Sequence, residues 1–128
     1  MTEPPARPYP ALTVLGADGD AYMRAYLARS LSLFGVGRVI LAADGREALH
    51  LVAVAALLIS DVRMPGLDGE ALCRAVHARA PGTPVLLVGD GPHAAASEAD
   101  GFLPKPFNAG ALRRAVERLV GDGLGGVA

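Results

Sequence analysis

Short apolar runs closed by glycine, proline or aspartate alternate along this chain with stretches whose apolar residues return every three or four positions. The runs predict strands and the spaced stretches predict helices. Leu12-Thr13-Val14-Leu15 is the first run, aliphatic and β-branched. After the loop Gly16-Ala17-Asp18-Gly19-Asp20, the residues Met23, Tyr26, Leu27, Leu31 and Phe34 share one face of a helix from about Ala21 to Phe34, which Gly35 and Gly37 end. Arg38 to Ala42 reads as a second strand. Asp44-Gly45-Arg46-Glu47 has the form of a capping box and opens a helix to about Val54. A third run, Ala56 to Ser60, follows almost at once. Asp68 is placed to cap a helix from Glu70 to Ala80, with Leu72, Val76 and Ala80 a turn apart and Pro81-Gly82 beyond. Pro84 to Val88 is a fourth strand and Phe102-Leu103-Pro104 a short fifth. Between them, His93 to Ala99 has room for a short helix or an irregular loop. Asn108 predicts the N-cap of a last helix whose face is Leu112, Ala115, Val116, Leu119 and Val120.

Strands and helices that alternate in this way predict a parallel sheet with helices on both faces, because right-handed crossovers place them there. The third run is the most informative. It is apolar enough to be buried on both sides, and it stops on Asp61. Pro65, Gly66 and Gly69 then mark a loop. No helical pattern begins at Val62, so Asp61 is not the helix cap that Asp68 is. In an open α/β sheet the carboxyl ends of the strands share one ligand-binding edge. The first strand delivers Asp18 and Asp20 there, the third Asp61, the fourth Gly89 and Asp90, and the fifth Lys105. Such oxygen ligands suit a hard cation such as magnesium. A lysine opposite them holds a phosphate as a point charge.

Composition narrows the classes. The 128 residues suit one domain, expected at 11–121 between a flexible proline-rich leader (1–10) and a glycine-rich tail (122–128). The chain is 52% hydrophobic and 5% aromatic, so its core is aliphatic. A net charge of −1 without a basic run gives no indication of direct nucleic-acid binding. Cys73 has no partner for an internal disulfide and reads as a core or half-buried thiol in a reducing compartment. The first ten residues lack an apolar signal segment, and Leu51 to Ile59 is too short to span a bilayer. A soluble cytoplasmic protein with no membrane contact is expected. His50, His77 and His93 lack ligand spacing, and no Ser-His-Asp or Cys-His constellation is apparent. Gly16-x-x-Gly19 lacks the full glycine pattern of a nucleotide loop, and Asp18 within it would repel a pyrophosphate.

With these residues in view, the chain resembles the receiver domain of bacterial two-component response regulators. Asp61-Val62-Arg63-Met64-Pro65-Gly66-Leu67-Asp68-Gly69 is similar to that family's phosphorylation loop, Lys105-Pro106-Phe107 to its lysine motif, and Ala42 to Leu49 to the start of its second helix. The resemblance covers about Leu12 to Val120. It implies a doubly wound, flavodoxin-like α/β fold with a five-stranded parallel sheet in the order 2-1-3-4-5. It implies a phosphorelay component rather than an enzyme, with self-phosphorylation at Asp61 as the most chemistry it would do. By the resemblance, Asp61 is the phosphoacceptor and Lys105 contacts the phosphoryl oxygens. Asp18, Asp61 and the backbone carbonyl of Arg63 hold Mg2+, the Lys105–Pro106 bond is cis, and Phe102 is the switch aromatic. The implied partners are a histidine kinase or phosphotransfer protein upstream and an effector domain or other protein downstream. A homodimer is open.

Three departures from the family pattern stand out. Gly19 occupies the place of a second acid after the first strand, with Asp20 as the nearest substitute, so the magnesium site is weakened. Gly89 stands where a Ser or Thr is usual, and Asp90 next to it would add a like charge near a phosphate. The stretch from Gly89 to Lys105 is short, so the fourth helix is expected to be shrunken. Two readings follow: a phosphoryl-accepting switch with an altered pocket, or a degenerate receiver that acts as a phosphorylation-independent interaction module. Asp61, Asp18 and Lys105 favour the first; Gly19, Gly89 and the short connection favour the second. A partner surface is expected on the first or last helix.

Overall fold

The computed structural model describes residues 9–90 and 98–125. The elements run β1 (Tyr9–Ala17), α1 (Ala21–Leu33), β2 (Val36–Ala42), α2 (Gly45–Leu51), a 3-10 turn (Val52–Val54), β3 (Leu57–Asp61), α3 (Gly69–Arg79), β4 (Val85–Gly89), β5 (Gly101–Pro104) and α4 (Ala109–Gly125). All strands pair in parallel, in the order β2-β1-β3-β4-β5. This is the expected doubly wound α/β sheet.

Two apolar cores, one on each face, explain why the strands are continuous aliphatic runs. Leu57 and Ile59 of β3 and Leu86 and Val88 of β4 enter one core, with Leu27 and Leu31 of α1 and Leu112 and Val116 of α4. Leu58, Val85 and Leu87 enter the other, with Ala48 of α2 and Leu72, Cys73 and Val76 of α3. Successive strand residues point to opposite faces, so a strand covered on both sides needs apolar residues throughout. Each fully buried leucine contributes about 1.5–3 kcal/mol. A one-residue register slip would exchange the two cores, so the C-terminal edge is fixed to within a residue.

The helix starts are set by side-chain caps. Asp44 accepts from Glu47 N at 2.8 Å, and Glu47 Oε1 accepts from Ala43 N at 2.7 Å. Asp68 accepts from Ala71 N at 2.9 Å and Asn108 from Ala111 N at 2.8 Å. These carboxylates and the amide satisfy backbone donors that a helix leaves unpaired at its start.

Some boundaries differ from expectation. β1 begins at Tyr9 rather than Leu12, because Tyr9 N donates to Gly35 O at 3.1 Å and the ring meets Phe34 edge-on at 6.4 Å. The Tyr9 hydroxyl donates to Glu117, which also pairs with Arg113, so β1 is tied to α4 beyond its aliphatic run. β2 begins at Val36, directly after Gly35 turns the chain with φ 98°. α2 stops at Leu51 and tightens into the 3-10 turn, where Ala55 N donates to Val52 O at 3.0 Å. Gly121, with φ 43°, breaks the helical path inside α4. Most of the expected leader and of the shrunken fourth helix, and the end of the tail, lie outside the described residues. Among the described residues no helix is long and apolar enough to cross a membrane.

Candidate functional site

Three strands each place one candidate side chain just at or past their carboxyl ends. Asp18 follows β1, with its N–H donated to Ala42 O at 3.1 Å. Asp61 closes β3, and the next residue, Val62, donates to Val88 O at 2.9 Å. Lys105 follows β5 and donates to Gly89 O at 2.9 Å. Sheet-type hydrogen bonds thus hold the backbone at each position, and the side chains converge.

The Lys105 ammonium lies 3.3 Å from Asp61 Oδ1 and 3.6 Å from Asp18 Oδ2. To reach them from β5 it crosses the end of β4, where Gly89 presents no side chain. Asp18 is buried, 2% exposed, and its Oδ1 accepts from Asp20 N at 2.8 Å. Arg24 holds the Asp18 carbonyl at 2.8 Å. Gly69 lets the start of α3 rest on the end of β3: its N–H donates to Val62 O at 2.9 Å, and a Cβ there would lie 2.3 Å from Asp61 O.

Burial pushes the Asp18 carboxyl above the usual carboxylate range. The Asp20 N–H pulls it back, the Asp61 charge pushes it up again, and Lys105 opposes that push. A carboxyl raised above its unfolded value favours folding below the unfolded pKa and loses that contribution as pH rises through the folded one. Asp18 therefore costs stability at neutral pH. Asp18→Asn, which resembles the protonated form, is expected to stabilise the domain by about 1–2 kcal/mol at neutral pH. The gain should shrink as pH falls toward about 4, the ordinary carboxylate range. Thermal melts of both proteins across this range check it; equal midpoints at neutral pH would refute it.

The remaining sequence candidates separate. The Asp20 carboxylate is exposed and caps α1, accepting from Tyr22 N at 3.0 Å. Among the described residues no group of three or more His, Cys, Asp or Glu is arranged to hold a metal. Gly89 is buried, and a Cβ on it would lie 2.9 Å from Val62 Cγ2. Val62 thus fills the space where a side chain of residue 89 would start. Asp90, at the end of β4, pairs with Arg63 at 3.2 Å. Asp61, Val62, Arg63, Gly89, Asp90 and Lys105 line a cavity of about 110 Å³. Phe102, on β5 opposite Leu87, is half-buried against the core that holds α2 and α3. The Lys105–Pro106 bond is cis.

The structure also joins residues the sequence left apart. His77 Nε2 lies 2.9 Å from Asp100 Oδ2, which also accepts from Val85 N at 2.8 Å. Cys73 Sγ lies 3.8 Å from His77 Nδ1. The i, i+4 spacing of Cys73 and His77 was the available sequence signal; Asp100, distant in sequence, gave none. The trio is not a nucleophilic site. Cys73 is fully buried, and burial, followed by the charges of Asp100, Glu70 and Glu98, pushes its thiol up to about 11. A thiol held protonated at neutral pH is a poor nucleophile. The contacts instead fasten the start of β4 to the end of the β4–β5 connection.

A family model of the response regulator receiver domain matches residues 14–117. The chain belongs to that family. It is 39% identical to the response regulator MprA of Mycolicibacterium vanbaalenii over an alignment of 102 positions, which covers 73% of this chain and 44% of MprA. It is 36% identical to the C4-dicarboxylate transport transcriptional regulatory protein DctD of Pseudomonas aeruginosa, over 89% of this chain and 26% of DctD. This receiver therefore spans less than half the length of these relatives. Among solved structures, the chemotaxis protein CheY4 of Vibrio cholerae matches with a TM-score of 0.76 and 32% identity, covering 84% of this chain and 98% of CheY4. A receiver domain from Clostridium thermocellum, 22% identical with a TM-score of 0.80 over 88% of this chain and 96% of that one, matches in fold. Receivers are signalling modules of two-component systems rather than enzymes with an external substrate.

Proposed function

We propose that this receiver is a phosphoryl-accepting switch with Asp61 as its acceptor. The observation that carries the reading is the Lys105 ammonium 3.3 Å from Asp61 and 3.6 Å from Asp18, beside a cavity that Asp61 lines. In this reading a carboxylate oxygen of Asp61 attacks phosphorus in line, and the bond from phosphorus to the donor breaks. Lys105 neutralises charge on the transferring group, and positioning with electrostatics does most of the work. Magnesium, when bound, would add positive charge beside the same oxygens. Asp18, Asp61 and the backbone carbonyl of Arg63 are the groups to hold it. These hard oxygen donors fit the ion, but Gly19 supplies no carboxylate and Asp20 is engaged in capping α1, so the site is weak.

The donor in this reading is a histidine kinase or phosphotransfer protein of the cytoplasm, and the recipient of the signal is an effector domain or separate protein. Contact through α1 is supported by Tyr22 and Leu33, 87% and 73% exposed. The α4 alternative is supported by the exposed Arg113 and Arg114, and charge reversal there should weaken a partner that uses it.

Intact mass after incubation with acetyl phosphate and magnesium tests the acceptor. The expected result is a gain of one phosphoryl group, absent in Asp61→Asn. The second reading, a phosphorylation-independent interaction module, is favoured by one observation: Val62 fills the space at Gly89 where a hydroxyl-bearing side chain would start. No mass gain at any magnesium concentration would select that reading.

A further inference from the structure

We propose that the Arg63 guanidinium is a second cationic contact for a phosphoryl group on Asp61, and that Asp90 holds it aside in the resting domain. The inference rests on Asp61 being the acceptor. Arg63 Nη2 lies 3.2 Å from Asp90 Oδ2, and both residues line the cavity that Asp61 and Lys105 share. Among the described residues, Lys105 and Arg63 are the cations of that lining.

The local chemistry gives Arg63 a vacancy to fill. A hydroxyl donor cannot come from position 89, because Gly89 has no side chain and Val62 packs over it. Lys105 is a point charge already shared between Asp18 and Asp61. A planar guanidinium fork matches phosphoryl oxygens better than an ammonium does. The Arg63 and Asp90 side chains are 75% and 60% exposed, so water screens their pairing and it exchanges easily. A phosphoryl dianion on Asp61 outbids the single charge of Asp90 and repels it. Arg63 then turns from Asp90 to the phosphoryl oxygens, leaving Asp90 unpaired at the end of β4. In this receiver the exchange of one arginine between two anions stands in for a hydroxyl contact.

With acetyl phosphate the step balances. An Asp61 oxygen forms the new P–O bond, the acyl P–O bond breaks, and acetate leaves with the electron pair. No proton moves, and Arg63 stays charged throughout.

The test is a double-mutant cycle on the full chain, read as the rate of phosphoryl incorporation from acetyl phosphate and as the half-life of the phosphorylated form. Asp90→Asn is expected to raise incorporation several-fold. Arg63→Gln is expected to shorten the half-life by about tenfold, with partial recovery in Arg63→Lys. The decisive result is that Asp90→Asn gives no gain in the Arg63→Gln background. A gain that persists there would mean Asp90 acts on the phosphoryl group directly, and would overturn the proposal. So would an Arg63→Gln half-life equal to wild type. Failure of every protein, wild type included, to gain mass would overturn the acceptor reading and this inference with it. Both side chains are exposed, so unchanged thermal midpoints are expected to accompany all variants.

Discussion

Lys105→Ala is expected to lower the rate of phosphoryl incorporation from acetyl phosphate by about 10²–10³-fold, the usual loss when one preorganised charge-stabilising group is removed. The physical basis is the position of the ammonium, 3.3 Å from Asp61 and 3.6 Å from Asp18. Without it, two carboxylates face an incoming anion with no cation fixed between them. The Asp18 carboxyl should move still higher, since the Lys105 charge is one of the effects that now lowers it. Lys105→Arg should restore the charge incompletely, because a broad planar fork does not occupy the place of a compact ammonium. Incorporation measured by intact mass, beside wild type and Asp61→Asn, decides the matter. An alanine variant that incorporates phosphate at the wild-type rate would remove Lys105 from the chemistry.

Gly69→Ala should damage both the fold and the site. A methyl at this position would lie 2.3 Å from the Asp61 carbonyl oxygen and 2.8 Å from Val62 Cα, both backbone atoms that cannot rotate away. The first turn of α3 would have to lift, breaking the 2.9 Å bond from Gly69 N to Val62 O. Overpacking of this kind typically costs about 1–3 kcal/mol. The displacement falls on Asp61, the proposed acceptor, and on Val62 beside it, so phosphoryl incorporation should fall along with the thermal midpoint. Gly82→Ala is a useful comparison, because a Cβ there meets nothing within 4 Å. A Gly69→Ala protein with unchanged midpoint and unchanged incorporation would show that α3 does not brace the acceptor loop.

The sequence made the sheet legible because β3 and β4 are buried on both faces and admit little but aliphatic residues. It also placed Asp18, Asp61 and Lys105 on one edge, since parallel strands leave no other place for their exit loops. Tyr9 could not be read as strand: its hold on the sheet comes from Phe34 and from Glu117, which is remote in sequence. The same is true of Asp100, whose bonds to His77 and Val85 N depend on how the β4–β5 connection returns. Position 89 could be read as lacking a hydroxyl. That Val62 stands in its place, and that Asp90 is met by Arg63, required the packing of one loop against the next.

The contact between Val62 and the empty side of Gly89 also limits the order in which this pocket can change. A threonine introduced at 89 into the present domain must displace a stiff β-branched neighbour that is 5% exposed, so the single step is uphill. Trimming Val62 first opens a cavity about two methyl groups in size, a modest loss that a later hydroxyl-bearing residue refills. Position 62 therefore acts as a ratchet: a lineage could acquire the hydroxyl by way of 62 and then 89, while the reverse order passes through a strained intermediate.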